Sequence, residues 1–472
     1  MAYISQASGY IFLLLFGIGM IFITYFFTSW RRKNKESFLV ANRKINWFFG
    51  GTSIAASWIW APALFVSVQL AYEKGLAGIF WFTIPNIVAL AIFAFLAPQI
   101  RKKMPEGFTL PQYIKHKLKD KSVHRIYLIP YFFYQIMAIT IQIFVGGTLI
   151  NLLTGIPLLI IMPLLLAIAL AYTSLSGIKA SITTDFIQMA LIFVIGIIVL
   201  PLTWNAAGGF SAISLGLHGL EGIKNIFNGN VAFSLGIVTS IGLIAGAIAD
   251  QQYWQRSFSI KKKDLAKSFI FGAIIFGIVP IALSTLGFLG ANSALGISLP
   301  TGVDSSMIGV QVVSNLLPMW AMFLFVIMLL SGLSSTLDSG LSAISSLWTT
   351  DVAKKGFSLK SAKKAMLGFS IVGLMVALSV NYIPGFGLFH LWWIFNTIAA
   401  CFVVPTILSL YWKRLSSKGV LWGVLVSFLV GLPLFIYGNV IEDSILTVGA
   451  TLFIILISTL FCLMFPKKKI NN

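Results

Sequence analysis

The stretch Ser331–Asp351, SGLSSTLDSGLSAISSLWTTD, carries hydroxyls at helical spacing directly after the apolar run WAMFLFVIMLL. Gly332, Ser335, Thr336 and Ser339 fall at i, i+3, i+4 and i+7, one face of a helix, and Ser342 and Ser346 extend that face by two turns. A polar stripe of this length inside hydrocarbon must face protein, water or an ion. Serine and glycine by themselves are common where membrane helices touch. Six such positions on one face, with Asp338 beside them, read instead as hard oxygen donors for an alkali cation. No basic residue falls at the depth of Asp338, so its carboxylate must carry a proton or hold a cation.

A second stretch, NWFFGGTSIAASWIWAPALFVSVQLAYEKG, contains Gly50, Gly51, Ser53, Ser57 and Pro62 and makes a poor continuous helix. Broken membrane helices expose carbonyls and helix ends at mid-depth, where transporters bind ions and solutes. The carbonyls of Ala56 and Ile59 are candidates to share an ion with Ser335 and Thr336. Carbonyls freed around Ser57 to Pro62 offer acceptors to a solute, and Trp58 and Trp60 offer flat walls; belt or packing tryptophans are the plainer alternative. Two further acids lie near spans. Asp185 either caps a helix start or joins an ion site. Asp250, six residues before Arg256, suggests a salt bridge or gate as readily as a solute contact. Asn396 is a lone polar residue in an aromatic run, usually an interhelical hydrogen bond, and a minority solute contact.

These residues need membrane helices to position them. Of 472 residues, 58% are hydrophobic and only 10% charged, a composition that excludes a soluble domain. Spanning runs fall at about 8–29, 46–72, 78–98, 127–152, 155–174, 183–203, 231–252, 268–290, 317–348, 365–382, 386–411, 418–438 and 445–465, thirteen in all. With thirteen spans, all but Lys74 and Lys224 of the 33 Lys and Arg fall on one side. Loop lysines and arginines stay cytoplasmic, which puts the amino terminus outside and the carboxyl terminus inside a cell (inner) membrane. The net charge of +20 is therefore a topology signal and a contact for anionic lipid headgroups, not a nucleic-acid footprint. The two cysteines lie in apolar runs and the four histidines lack metal-ligand spacing, so neither a disulfide framework, a zinc site nor an intramembrane enzyme is expected. Residues 204–230 read as a short interfacial helix and turns, and 291–316 as cover for an outer vestibule.

Three stretches carry a family resemblance: SGIKASITTDFIQ at 176–188, DQQYWQRSFSIKKKDLAKS at 250–268 and SSTLDSGLSAISSLWTTD at 334–351. In that order and spacing the chain resembles the sodium:solute symporter family over nearly its whole length. The resemblance implies an all-α membrane protein with two inverted five-helix repeats, spans two to six (46–203) and seven to eleven (231–411), each opening on a broken helix. One extra span (8–29) precedes them and two (418–465) follow, in a single domain, 1–472. It implies a sodium site of Ala56, Ile59, Gly332, Ser335 and Thr336, and a second one in some members at Asp185, Ser335, Asp338 and Ser339. It puts Gln251, in broken span seven, across the repeat axis from Ser57, Trp58 and Trp60, with Asn396 nearby. ASWIWAPALFVSVQLAYEKGLAGIFWF and DQQYWQR resemble the urea active transporters; TTDFIQ resembles the proline symporters. The expectation is sodium-coupled uptake of a small polar solute, urea first and proline or another small nitrogen compound second. Sodium is the coupling ion and there is no other cofactor; the partners are the solute and the bilayer. A sensor or a channel of the same fold ranks below a carrier.

Overall fold

The computed structural model describes residues 4–27, 34–353, 356–383 and 387–467. The basic residues at 31–33, 354–355 and 468–469, and the ends of two expected spans at 28–29 and 386, lie outside the described residues. The protein is all-helical. The helices that matter for the site are α1 (Gln6–Phe27), α2 (Lys35–Val40), α3 (Trp47–Trp58), α4 (Ser67–Lys103), α5 (Leu110–Leu118), α6 (Lys121–Thr154), α7 (Leu158–Ser176) and α8 (Ile178–Ala206). They continue with α9 (Phe210–Leu215), α10 (Gly229–Ala249), α11 (Gln251–Ser259), α12 (Leu265–Ala291), α13 (Ile308–Leu316) and α14 (Met319–Leu347). The last four are α15 (Leu359–Val380), α16 (Leu388–Tyr411), α17 (Ser417–Val440) and α18 (Ser444–Met464).

Among the described residues 12 helices are long and apolar enough to cross a membrane. The longest, the 42 residues Pro62–Lys103, would reach about 63 Å if straight, twice the hydrocarbon thickness of about 30 Å. It turns instead at Gly75, whose φ of 61° and ψ of −144° leave the helix. The loop after α8 covers this turn: Leu76 N donates to Leu217 O and Leu220 N to Tyr72 O. A Cβ on Gly75 would stand 2.3 Å from Leu217 O, so glycine is required both for the backbone angle and for the close approach. The long helix thus serves two crossings, and the 12-residue α3 supplies the first half of the earlier one. Split at Gly75, the 12 spans among the described residues read as thirteen crossings.

The packing repeats itself when the two halves are exchanged. α3 packs on α12 as α10 packs on α4; α3 packs on α8 as α10 packs on α16; α14 packs on α8 as α6 packs on α16. This is the signature of two inverted five-helix repeats, and each repeat begins with a broken span. The first breaks at Ile59–Ala61, where Ile59 closes α3 with φ −82° and ψ 69°. The second breaks at Asp250, between α10 and α11, with φ −84° and ψ 116°. Freed backbone groups inside a membrane need partners, and α6 supplies them at both breaks. Gln142 Oε1 accepts from Ala61 N at 3.0 Å, and Tyr131 donates to Ile248 O at 3.1 Å.

Candidate functional site

The hydroxyl face of α14 is wholly buried and meets both the break of α3 and the buried face of α8. Its upper part stands against the end of α3. A Cβ on Gly332 would lie 3.0 Å from Ile59 O, so the missing side chain is what lets the two backbones approach. Thr336 Oγ1 donates to Ser57 O at 3.1 Å, and Ser335 Oγ donates to Asp185 Oδ1 at 2.5 Å. A hydroxyl has one proton and two lone pairs. With both protons directed at these oxygens, the lone pairs remain to face a cation. Gly332 and Thr336 are therefore brought against the end of α3 at Ile59 and Ser57, with Ser335 beside them turned to Asp185. Ala56 O also accepts from Ile59 N at 3.2 Å, inside the last turn of α3.

Deeper along α14 lies a buried charge cluster. Asp185 is no helix cap: it sits within α8 and accepts from Ser53 at 2.5 Å, Ser335 at 2.5 Å and Arg256 Nη2 at 2.9 Å. Asp338 accepts from Ser181 at 2.6 Å and Thr184 at 3.1 Å. Arg256 corrects two expectations. It belongs to α11 and is buried rather than part of the cytoplasmic charge, so Asp338 does have a cation in its cluster. Nor does it pair with Asp250; its guanidinium reaches Asp185, Ser53 at 2.9 Å and Ser339 at 2.8 Å. The guanidinium thus stands on two of the residues, Asp185 and Ser339, expected to form a second sodium site. An ion pair of this kind, with Asp185 also accepting from two serine hydroxyls, is how a charge is kept in a low-dielectric interior.

Toward the middle of the molecule the two breaks enclose an aromatic cage. Tyr253 meets Trp58 edge-on at 5.3 Å, Trp58 stacks on Trp60 at 5.7 Å, Trp60 meets Phe395 at 5.2 Å, and Phe395 stacks on Tyr134 at 3.8 Å. Around these rings the polar atoms Trp60 Nε1, Gln142 Nε2, Tyr134 OH, Tyr253 OH, Gln252 Oε1 and Asn396 Oδ1 are buried without partners. A Cβ on Gly246 would lie 2.6 Å from Asn396 Oδ1 and 2.8 Å from Tyr134 OH, which puts the bare α10 backbone against this edge. Such unpaired atoms each cost about 1–3 kcal/mol, and a cluster of them calls for a polar guest.

Trp58, Trp60 and Asn396 lie among these rings and unpaired atoms, with the Trp58 indole held by Asn86 Oδ1 at 2.7 Å. Two candidate solute contacts do not. Gln251 points away: its Oε1 accepts from Leu110 N and its Nε2 donates to Phe108 O, tying α11 to the start of α5. The Ser57 hydroxyl turns to α14, donating to Ser53 O and lying 3.2 Å from Ser339 Oγ. Gln251 sits at the first position of α11 after the break, whereas Ser57 lies inside α3, where its hydroxyl bonds back one turn to Ser53 O. Tyr134, Gln142, Tyr253 and Phe395 were not legible as site residues. Tyrosines and glutamines in α6 carry no spacing signal, and only the neighbouring break gives them a role. Ser53, four residues before Ser57, and Ser181 and Thr184, three apart on α8, were missed members with a helical-face signal.

A wider cleft of about 480 Å³ opens beyond the cage, lined among others by Gln69, Glu73, Asp304, Ser305, His390 and Asn439. Ser305 Oγ donates to Glu73 Oε1 at 2.6 Å, and Asp304 and Ser305 of segment 291–316 line this cleft.

Inverted repeats opening on broken helices, with an oxygen junction and a polar cage at the breaks, define a secondary transporter. The match to the sodium:solute symporter family spans residues 38–427, and the chain belongs to that family, whose members move solutes across membranes with an ion. A probable urea active transporter 1 from Schizosaccharomyces pombe is 22% identical over 88% of this chain and 68% of its own length. The urea-proton symporter DUR3 of Oryza sativa subsp. japonica is 21% identical over 93% and 68%. A Na+-coupled sialic acid symporter in a substrate-bound, outward-open state superimposes with a TM-score of 0.79 at 18% identity, covering 98% of this chain and 99% of that one.

Proposed function

We propose that this protein is a sodium-coupled uptake carrier for urea or a closely similar small neutral amide. The observation that carries the reading is the cage between the breaks: flat aromatic walls, several unpaired acceptors and donors, and no cationic side chain free to meet a carboxylate. Arg256, the cation on the adjoining helix, has its guanidinium engaged by Asp185, Ser53, Ser339 and Gln252 O. The amino terminus of α11, the other natural partner for a carboxylate, is already capped by Asp250, which accepts from Gln252 N at 2.8 Å. A zwitterion such as proline would find only neutral donors for its carboxylate in this cage, whereas urea, planar and neutral with four N–H donors and one acceptor, finds partners for both. The likeness to urea transporters supports the same solute.

Sodium enters at the junction of Ala56, Ile59, Gly332, Ser335 and Thr336, between a helix break and a hydroxyl face, so that its presence favours one arrangement of α3 on α14. The guanidinium of Arg256 provides the positive charge at the deeper grouping of Asp185, Asp338 and Ser339, so one sodium accompanies each solute. The amino terminus faces outward.

Purified protein in proteoliposomes tests this reading. An inward sodium gradient should drive accumulation of radiolabelled urea, proline in excess should not compete, and a pH gradient without sodium should drive no accumulation. Uptake that follows the pH gradient alone would reassign the coupling ion; competition by proline but not by urea would reassign the solute.

A further inference from the structure

We infer that Asp250 is the specificity-determining residue of the cage, its carboxylate accepting solute N–H groups and so restricting substrates to ureas and primary amides. The inference rests on the reading of the cage as the solute site. Asp250 sits at the break itself, 3% exposed. Its Oδ1 is fully engaged, accepting from Gln135 Nε2 at 3.0 Å and Gln252 N at 2.8 Å. No hydrogen bond among the described residues reaches Oδ2. An ionised carboxylate offers about four acceptor positions, and a buried one with a bare oxygen is an expensive arrangement unless a donor arrives.

The surroundings fit a donor brought by the solute. Arg256, the obvious internal partner, is directed to Asp185 instead. Tyr134 and Tyr253, whose rings close the cage and whose hydroxyls are unpaired, both lie within electrostatic range of Asp250. Gly246, one turn earlier on the same helix, borders Asn396 Oδ1 and Tyr134 OH. The unpaired set around the rings therefore holds acceptors, Gln252 Oε1 and Asn396 Oδ1, beside the unbonded Asp250 Oδ2, and the donors Trp60 Nε1 and Gln142 Nε2. Such a set has acceptors for the N–H groups of urea and donors for its carbonyl oxygen. A solute without N–H groups would leave the aspartate oxygen bare.

The test compares wild-type protein with Asp250→Asn and Asp250→Ser in proteoliposomes under an inward sodium gradient. Asn and Ser both keep a helix-capping oxygen for Gln252 N, so α11 keeps its start. Half-saturation is measured for urea, and competition with acetamide, which has one NH2, and with tetramethylurea, which has none. Wild type should rank urea above acetamide and ignore tetramethylurea. Both variants should raise the urea half-saturation about ten- to a hundredfold, as for loss of a hydrogen bond to a charged group, flatten the ratio of urea to acetamide, and leave the sodium half-saturation unchanged. Urea half-saturation at the wild-type value in either variant overturns the inference. So does an equal loss for urea and acetamide, which a merely structural Asp250 would give. Wild type that transports another solute but none of these amides overturns the reading of the cage and the inference with it.

Discussion

Replacing Arg256 by glutamine should convert a fixed internal charge into a demand for a mobile one. Arg256 is completely buried and donates to Ser53 Oγ, Asp185 Oδ2, Ser339 Oγ and Gln252 O at 2.8–3.2 Å. Its removal leaves Asp185 with two serine hydroxyls and Asp338 with Ser181 and Thr184, and no cation for either carboxylate. Breaking a buried pair in this way costs about 3–5 kcal/mol. The oxygens left behind suit sodium, and a hundredfold excess of sodium over its dissociation constant restores about 2.7 kcal/mol by mass action. Thermal unfolding of Arg256→Gln in choline chloride should thus fall well below wild type, and sodium chloride should recover half or more of the difference. The same variant should take up solute with a steeper dependence on sodium than wild type. Adding Asp185→Asn removes one of the stranded charges, so the double variant should be more stable in choline than Arg256→Gln alone. A loss under about 1 kcal/mol, the scale of an exposed pair, would refute the reasoning. So would strictly additive effects of the two substitutions, or a variant whose stability ignores sodium.

Ser335→Ala with Thr336→Ala removes both hydroxyls of the sodium junction and should raise the sodium needed for half-maximal uptake by about tenfold or more at normal expression, on the scale of one or two hydrogen-bond-strength contacts; unchanged sodium dependence would dismiss the junction. Trp60→Ala takes away a ring stacked between Trp58 and Phe395 and an unpaired donor, so the urea half-saturation should rise about tenfold, on the scale of a lost aromatic contact and donor, with sodium half-saturation unmoved. The native cysteines are both buried, so single introduced cysteines report topology cleanly. Ser5→Cys should react with an impermeant thiol reagent from outside the cell and Lys262→Cys only after the membrane is opened; labelling of both from one side would reverse or break the assigned orientation.

How much of this was legible in the sequence follows from the range of the forces involved. The hydroxyl face of Ser335, Thr336, Ser339 and Ser342 was readable because helical periodicity is local, and burying it in a membrane leaves few alternatives. The thirteen crossings were readable because apolar length and the placement of lysines and arginines are counted along the chain. Even the break in the first repeat was marked, by Pro62 and the glycines before it. Tertiary structure decided the rest. Arg256 counted as one more basic residue beside a lysine-rich loop, and only the packing of α11 against α14 turns it inward to Asp185. Asp250 and Arg256, near neighbours in sequence, suggested a salt bridge or gate as readily as a solute contact, but the backbone bends at Asp250 and the two side chains go to different helices. Gln251 left the solute site because it begins α11 just after the break, and Ser57 because its hydroxyl bonds back one turn to Ser53 O and lies against Ser339. The cage itself joins Trp60 of the first break to Tyr134, Tyr253 and Asn396 from three helices, and no local pattern records which rings will meet when the two repeats close on each other.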